Sequence, residues 1–408
     1  MKKTTKVIVG ILIILIIGLF LYWFFWYADT DPGEGGVGQP DPIFPFSGGQ
    51  PGDDSFFEDD DETDVDNDPS STYTPQPNLW QISDRPVAGS QWVTDENGRQ
   101  EVWYVHRENG HLFRHSTKNR ESTRLTNTTI PRVQEAVISP QGDYIIYRYI
   151  DAGTDNTKTY MANITPTENG DMPYQVQGEF WSDNIKSVNA SPLGERVFYL
   201  RSTSDGTIGV VVTMATEEVL VVFESDLTEW RSQWSTNDSI TVFNSPAQNT
   251  RGFSHTINTK TGEMNKLVDG RGMTATLSPD NQYVITSKLD NNQYRSYLHT
   301  ASDTQSNLMT IPTFSEKCGW RPGGNIFFCG VPTGDFPNPN LRSWYQGVNN
   351  FTDELHVFVP ESREQENLFG DEEMDMGPFD ITDIKVDPNF NFSSFENKRD
   401  YILWGLQL

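Results

Sequence analysis

The chain has 408 residues and a formal charge of −27, with 30 Lys and Arg against 57 Asp and Glu. An acidic chain of this kind stays soluble and repels phosphate backbones, so nucleic acid is excluded as an expected partner. Length alone fits two or three ordinary domains, or one large domain built from a repeated all-β unit.

The first element in the chain is apolar. Residues 1–6 carry Lys2, Lys3 and Lys6, and Val7–Tyr27 ("VIVGILIILIIGLFLYWFFWY") follows as 21 uncharged residues. As a helix that run would be about 31 Å long, enough to span a bilayer. The next basic residue is Arg85. The positive-inside rule therefore predicts a single-pass anchor over 7–27, with the N-terminus in the cytoplasm and the remainder outside the cell membrane. The aromatic stretch from Tyr22 would sit at the outer interface. A signal peptide is the rival reading, but the run exceeds the usual apolar core and no small-residue cleavage site follows it.

Residues 28–77 hold 14 acidic residues and no Lys or Arg, which leaves residues 78–408 at −16. Few apolar side chains interrupt this stretch, so it cannot bury enough surface to fold and is expected to be a flexible spacer. Treated as a coil it would reach about 40 Å, and further by self-repulsion. Asp64, Asp66 and Asp68 have the alternation of a calcium loop, but Pro69 and Pro75 stand where the EF-hand needs Gly and Glu.

From residue 78 onward short β-branched and aromatic runs alternate with Gly, Asn, Asp and Pro turns, an all-β pattern. One phrase recurs: "SPQGDYIIYRY" from Ser139, "SPLGERVFYL" from Ser191, "STNDSITVF" from Ser235, "SPDNQYVIT" from Ser278 and "RPGGNIFF" from Arg321. The turn-opening residues Thr94, Ser139, Ser191, Ser235, Ser278, Arg321 and Asp387 are separated by 45, 52, 44, 43, 43 and 66 residues. Four intervals of 43 to 45 match a four-stranded propeller blade. The expected fold is an all-β, seven-bladed β-propeller over 78–408, with six or eight blades as alternatives. The unit around Ser278 reads as strands at 275–278, 283–288, 294–300 and 308–311. The last unit holds only three strands before the chain stops, and "NLWQIS" at 78–83 is expected to supply its missing outer strand. The ring would then be closed by pairing the N-terminal strand with the C-terminal blade, which removes the exposed edges an open ring would leave.

The Ser-Pro-polar-Gly/Asn turn before an aromatic strand resembles the TolB-like, WD40-like repeat of bacterial β-propellers, although the Gly-His and Trp-Asp signatures of the WD type are absent. Together with the Lys-rich tip, the apolar run, the acidic spacer, "CGWRPGGNIFFCGVP" and "WYQG", the chain is also similar to uncharacterised envelope propellers of candidate-phylum bacteria. That second resemblance implies a place in the cell envelope and brings no activity with it.

The remaining chemistry is sparse. His106, His111 and His115 cluster in "HRENGHLFRH", where a hairpin turning at "ENG" would bring the first two near one another, but two imidazoles do not make a zinc site. Gly-x-Ser-x-Gly, His-Glu-x-x-His, phosphate-loop and dinucleotide patterns are absent, so no enzyme class is indicated and no cofactor is expected. Adjacent acids such as Glu372 and Glu373 are ordinary in so acidic a chain. Cys318 and Cys329 are the only cysteines; a two-residue turn at Gly323–Gly324 would set them directly opposite each other, in reach of a disulfide in the oxidising space the topology implies. The alternative is a pair of small buried thiols, and a metal site lacks companions. The sixth unit also carries an insertion, "VPTGDFPNPNLRSWYQGVNNF" from Val331. Insertions on rigid scaffolds build binding surface, and Arg342, Trp344, Tyr345 and Gln346 are residue types of interface hot spots. The competing reading is that Trp344 and Tyr345 fold the loop onto its own blade. The acidic loop from Phe369 could take Ca²⁺ or be merely solvated. The function expected from the whole is a membrane-tethered module that binds another envelope protein, with a glycan-binding protein or a hydrolase using the central channel as the alternative.

Overall fold

The structure is a computed structural model that describes residues 78–408 apart from 96, 169–170, 247–249, 292, 302–305, 311 and 335–340. The expected anchor at 7–27 and spacer at 28–77 lie outside the described residues. Among the described residues no helix is long and apolar enough to cross a membrane.

The strands form seven four-stranded antiparallel sheets. In chain order, β1 (Leu79–Gln81) stands alone. Blade one is β2 (Val87–Thr94), β3 (Gln100–His106), β4 (Leu112–Ser116) and β5 (Glu121–Arg124). Blade two is β6 (Val133–Ile138), β7 (Tyr144–Ile150), β8 (Thr157–Pro166) and β9 (Tyr174–Phe180), and blade three is β10 (Ile185–Ala190), β11 (Arg196–Thr203), β12 (Gly206–Thr213) and β13 (Glu218–Ser225). Blade four is β14 (Trp230–Thr236), β15 (Ser239–Asn244), β16 (Arg251–Asn258) and β17 (Met264–Arg271), and blade five is β18 (Thr274–Leu277), β19 (Tyr283–Asp290), β20 (Gln293–Thr300) and β21 (Ser306–Leu308). Blade six is β22 (Cys318–Trp320), β23 (Phe327–Pro332), β24 (Asp353–Val359) and β25 (Glu364–Asn367). Blade seven is β26 (Ile381–Val386), β27 (Phe392–Asn397) and β28 (Ile402–Gln407), completed by β1, which pairs Leu79 with Leu406, Trp80 with Gly405 and Gln81 with Trp404. The fold is thus a seven-bladed β-propeller closed by its first strand. The outer strand of blade five lies two to three residues earlier than its sequence pattern suggests, because Leu308 pairs with Tyr297 at the end of β21 and not at its start.

The recurring turn has a hydrogen-bonding reason. Ser139 Oγ accepts the N–H groups of Asp143 and Tyr144 at 2.9 and 3.2 Å, and Ser278 Oγ accepts those of Gln282 and Tyr283 at 3.1 and 2.9 Å. One buried hydroxyl thereby satisfies the donors that the turn would otherwise orphan. Where the phrase departs, a carboxylate does the same work: Asp387 accepts from Asn389 and Asn391 at 2.7 Å, and Asp95 from Asn97 and Arg99 at 2.9 and 2.7 Å.

The core lies between blades. One cluster joins Phe198, Leu200 and Phe223 of blade three to Trp230, Trp234 and Ile240 of blade four. Each blade is covered on both faces, which is why aromatic residues appear without strict alternation. Close packing also dictates Gly319, where a Cβ would fall 2.2 Å from the Ile384 carbonyl oxygen of the next inner strand, and Gly405, where it would fall 2.6 Å from the Trp80 ring.

The closing strand has its own pin. Trp80 Nε1 donates to His115 Nε2 at 3.0 Å, and His115 Nδ1 meets Ser122 Oγ at 2.9 Å. An imidazole that accepts at Nε2 is neutral and carries its proton at Nδ1. Burial first, and Arg120 second, hold its pKa down to about 4.

Candidate functional site

The seven inner strands line one cavity of about 1530 Å³, the central channel. Because every blade repeats the same strand order, the inner strands run the same way along it and their first residues surround one mouth. The insertion between β23 and β24 belongs to that mouth. Its short helix, Leu341–Tyr345, is followed by a turn in which Gln346 N–H donates to Arg342 O at 3.0 Å and Gly347, at φ 72°, turns the chain.

Beneath the insertion lies a buried ionic network. Lys317, 0 % exposed, directs Nζ to Asp353 Oδ2 and, at 2.5 Å, to Asp380 Oδ1. Ile381 N–H donates to Asp353 Oδ2 at 2.7 Å, Phe351 N–H to Asp380 Oδ2 at 3.1 Å, and Trp344 Nε1 to Asp380 Oδ2 at 3.0 Å. Asp380 N–H is in turn held by Asn397 Oδ1 at 3.0 Å. One lysine faces two carboxylates, so burial dominates at Asp353 and pushes its carboxyl up to about 6 even beside Lys317. A buried ion pair with its hydrogen bonds in place fixes geometry more surely than it adds stability. Here it ties the insertion to blades six and seven.

Trp344 is 2 % exposed and packs in a cluster with Leu289, Tyr294 and Phe314. This corrects the expectation that Trp344 is a surface contact: its indole has found both an apolar pocket and a carboxylate, so it anchors the loop from inside. Tyr345 is half-buried; its hydroxyl donates to Glu316 Oε1, and the Arg231 guanidinium of blade four lies 4.3 Å from its ring centre. Glu316 and Arg231 both line the channel, so Tyr345 links blade six to blade four at the mouth. Arg342 is exposed, and so is every residue from Gln346 to Asn350, with Val348 at 71 %.

Cys318 and Cys329 face each other in register and are joined by a disulfide, with Cα atoms 4.1 Å apart. The hairpin brings His106 and His111 together as expected, His106 N–H donating to His111 O at 3.1 Å; the His106 ring packs against Phe113, while His115 is engaged by Trp80. Among the described residues no group of three or more His, Cys, Asp or Glu is arranged to hold a metal ion. In the acidic loop Asp380 is committed to Lys317 and Trp344, and Glu373 accepts from Gly370 N–H at 2.9 Å.

A second group of charges lies within the channel. The pairing of β26 with β27 is interrupted between Thr382 and Lys385, and Asp383 in the gap has φ 49°, an unusual conformation for a residue with a side chain. Glu396, from the second strand, lines the channel beside it. Burial first, and the Asp383 charge next, push the Glu396 carboxyl up to about 8, against the pull of Arg107 and Lys385. Lys385 Nζ bonds Asp383 Oδ2 at 2.6 Å and Ser90 O at 2.8 Å. None of Lys317, Asp353, Asp380, Asp383 or Glu396 was singled out from sequence. The available signal was a lone lysine in "SEKCGW" directly ahead of an apolar inner strand.

No protein-family model matches the sequence, and a search of curated proteins found no match. Solved structures do match in shape. An oligogalacturonate lyase in complex with manganese aligns over 81 % of this chain and 93 % of its own, with a TM-score of 0.51 and 10 % identity. The hydrazine synthase of Kuenenia stuttgartiensis aligns over 80 % and 97 %, with a TM-score of 0.50 and 9 % identity. At such identities the likeness shows the propeller fold and nothing of the chemistry.

Proposed function

We propose that this β-propeller is a binding module of the cell envelope, TolB-like in its repeat, held outside the membrane by residues 7–27 on the acidic spacer 28–77, with a protein partner recognised at the insertion. The observation that carries this reading is the clamped insertion: Trp344, Asp380 and Lys317 fix it from within, while Arg342, Gln346 and Val348 are presented to solvent. A preorganised loop loses little entropy on binding, which favours recognition. The test is crosslinking and capture from native membranes with the full chain and with an Arg342→Ala/Gln346→Ala/Val348→Ser variant. These exposed positions leave Trp344 in place, so melting should be unchanged. A partner captured by the first and lost from the second supports the reading, and equal capture by both rejects it.

The acids in the channel favour a second reading, catalysis on a glycan or peptide. A carboxyl kept protonated near neutrality is suited to act as a general acid, and Asp383 beside it carries the complementary charge. Turnover of a polysaccharide or peptide panel that disappears in Glu396→Gln would favour it over pure binding.

A further inference from the structure

The seven blades provide seven outer strands, and six are ill suited to pair with anything further. β1 and β21 have three residues each, β5 and β25 have four fully exposed polar ones, β9 intersperses Gln175, Gln177 and Glu179, and β17 carries Lys266, Asp269 and Arg271. Short length and charge are how natural sheets protect their edges. β13 has neither protection at its centre. It has eight residues, "EVLVVFES", and Val219, Leu220 and Val221 are 61, 42 and 48 % exposed. Leu220 points to one face of the blade and its two neighbours to the other, so neither adjoining blade covers them. Among the described residues no strand pairs with the side of β13 away from β12. A bulge opposite Gly209 and Val210 turns Val222 and Phe223 into the core and leaves Glu218–Val221 paired residue by residue with Val210–Thr213.

We infer that β13 is a docking edge that accepts an extended segment of a partner protein as a fifth strand of blade three. The occupant is specified by charge. Exposed acids flank the apolar centre at both ends, Glu217 and Glu218 before it and Glu224 and Asp226 after it. A second copy of β13 paired antiparallel about Leu220 and Val221 would set Glu217 or Glu218 against Glu224, which is unfavourable for directly opposed like charges. Residues 28–77 of this chain, with 14 acids and no Lys or Arg, have the same sign. The fitting partner is a segment with β-branched apolar residues at its centre and Lys or Arg at both ends. Its backbone would supply affinity through the free edge, and its flanks would supply register. This surface is separate from the insertion, so each can fail without the other.

The test uses the full chain and a labelled synthetic peptide with a Val-Thr-Val-Thr-Val centre and two lysines at each end, read by fluorescence anisotropy. Val219→Lys and Val221→Lys should each weaken binding about tenfold or more, while Leu193→Lys, exposed on a different part of blade three, should not. N-methylation of alternate peptide amides should abolish binding, and glutamate in place of the lysines should weaken it. The proposal is overturned if the N-methylated or glutamate-flanked peptide binds equally well, or if the lysine-flanked peptide shows no saturable binding. It is equally overturned if the chain sediments as a dimer that Val219→Lys dissociates, since β13 would then be a contact between copies.

Discussion

Two carboxylate centres at the same mouth of the channel have opposite fates. Asp353 and Asp380 are wholly enclosed and share a lysine, an indole N–H and two backbone N–H groups. Glu396 opens on the channel, with the negative Asp383 as a neighbour. Burial alone does not define a reactive acid. An acid whose partners are all internal holds structure, whereas Glu396 lines the channel with its charge discouraged by burial and by Asp383.

The largest effect that would sharpen this contrast is at Lys317. Replacing it with Met leaves two enclosed carboxylates without their cation, and about 3–5 kcal/mol of stability should be lost in chemical denaturation. A loss below 1 kcal/mol would mean the two acids are not held as charges. Next, Cys318→Ser or reduction opens a cross-link between residues 11 apart, with an expected loss of about 2–3 kcal/mol that a reductant reproduces in the native chain and not in the variant.

Smaller effects depend on pH. His115, held to about 4 in the folded chain against about 6.5 unfolded, favours folding above the unfolded value and ceases to do so as pH falls through 4. Protonation there removes the acceptor for Trp80. Melting temperature should therefore drop between pH 6.5 and 4 by more in the native chain than in His115→Gln. For Glu396 the sign reverses. Its folded value of about 8 lies above the unfolded carboxyl near 4.3, so the folded chain retains a proton the unfolded chain has lost. That contribution is complete below about pH 4 and is lost as pH rises toward 8. Glu396→Gln should melt at nearly the native temperature at pH 5 and above it at pH 8. An unchanged difference across that range would place Glu396 in water.

The ring and its closure were legible in sequence because both follow from local rules. In most blades the turn is held by a short side-chain acceptor whose spacing counts the blades; the count marked blade one at Thr94, one residue before the acceptor Asp95, and blade six at Arg321, whose turn is closed by backbone bonds. The register that sets Cys318 opposite Cys329 was legible too, although the connection is the four residues Pro322–Asn325, with Arg321 N–H donating to Ile326 O at 2.9 Å and Gly324 N–H to Arg321 O at 3.0 Å, and not the two-residue turn expected. The insertion was not legible to the same degree. Tryptophan suits an exposed hot spot and a half-polar pocket equally well, and the residue that decided between them, Asp380, lies 36 positions beyond Trp344. The ionic network joins residues 36 and 63 apart with no periodicity to mark them. Glu396 was hidden for another reason: it belongs to a second strand, paired with Thr382 beside the interruption at Asp383, and sequence pattern assigns the channel to inner strands.

The central claim is that residues 341–353 of the insertion are a rigid element seated by Lys317, Asp380 and Trp344. Amide hydrogen exchange of the full chain, followed by mass spectrometry over 341–353, tests it most directly. Protection comparable to the inner strands, lost in Lys317→Met while blades one to four stay protected, is the expected result. Exchange of 341–353 as fast as an exposed loop in the native chain would contradict the claim.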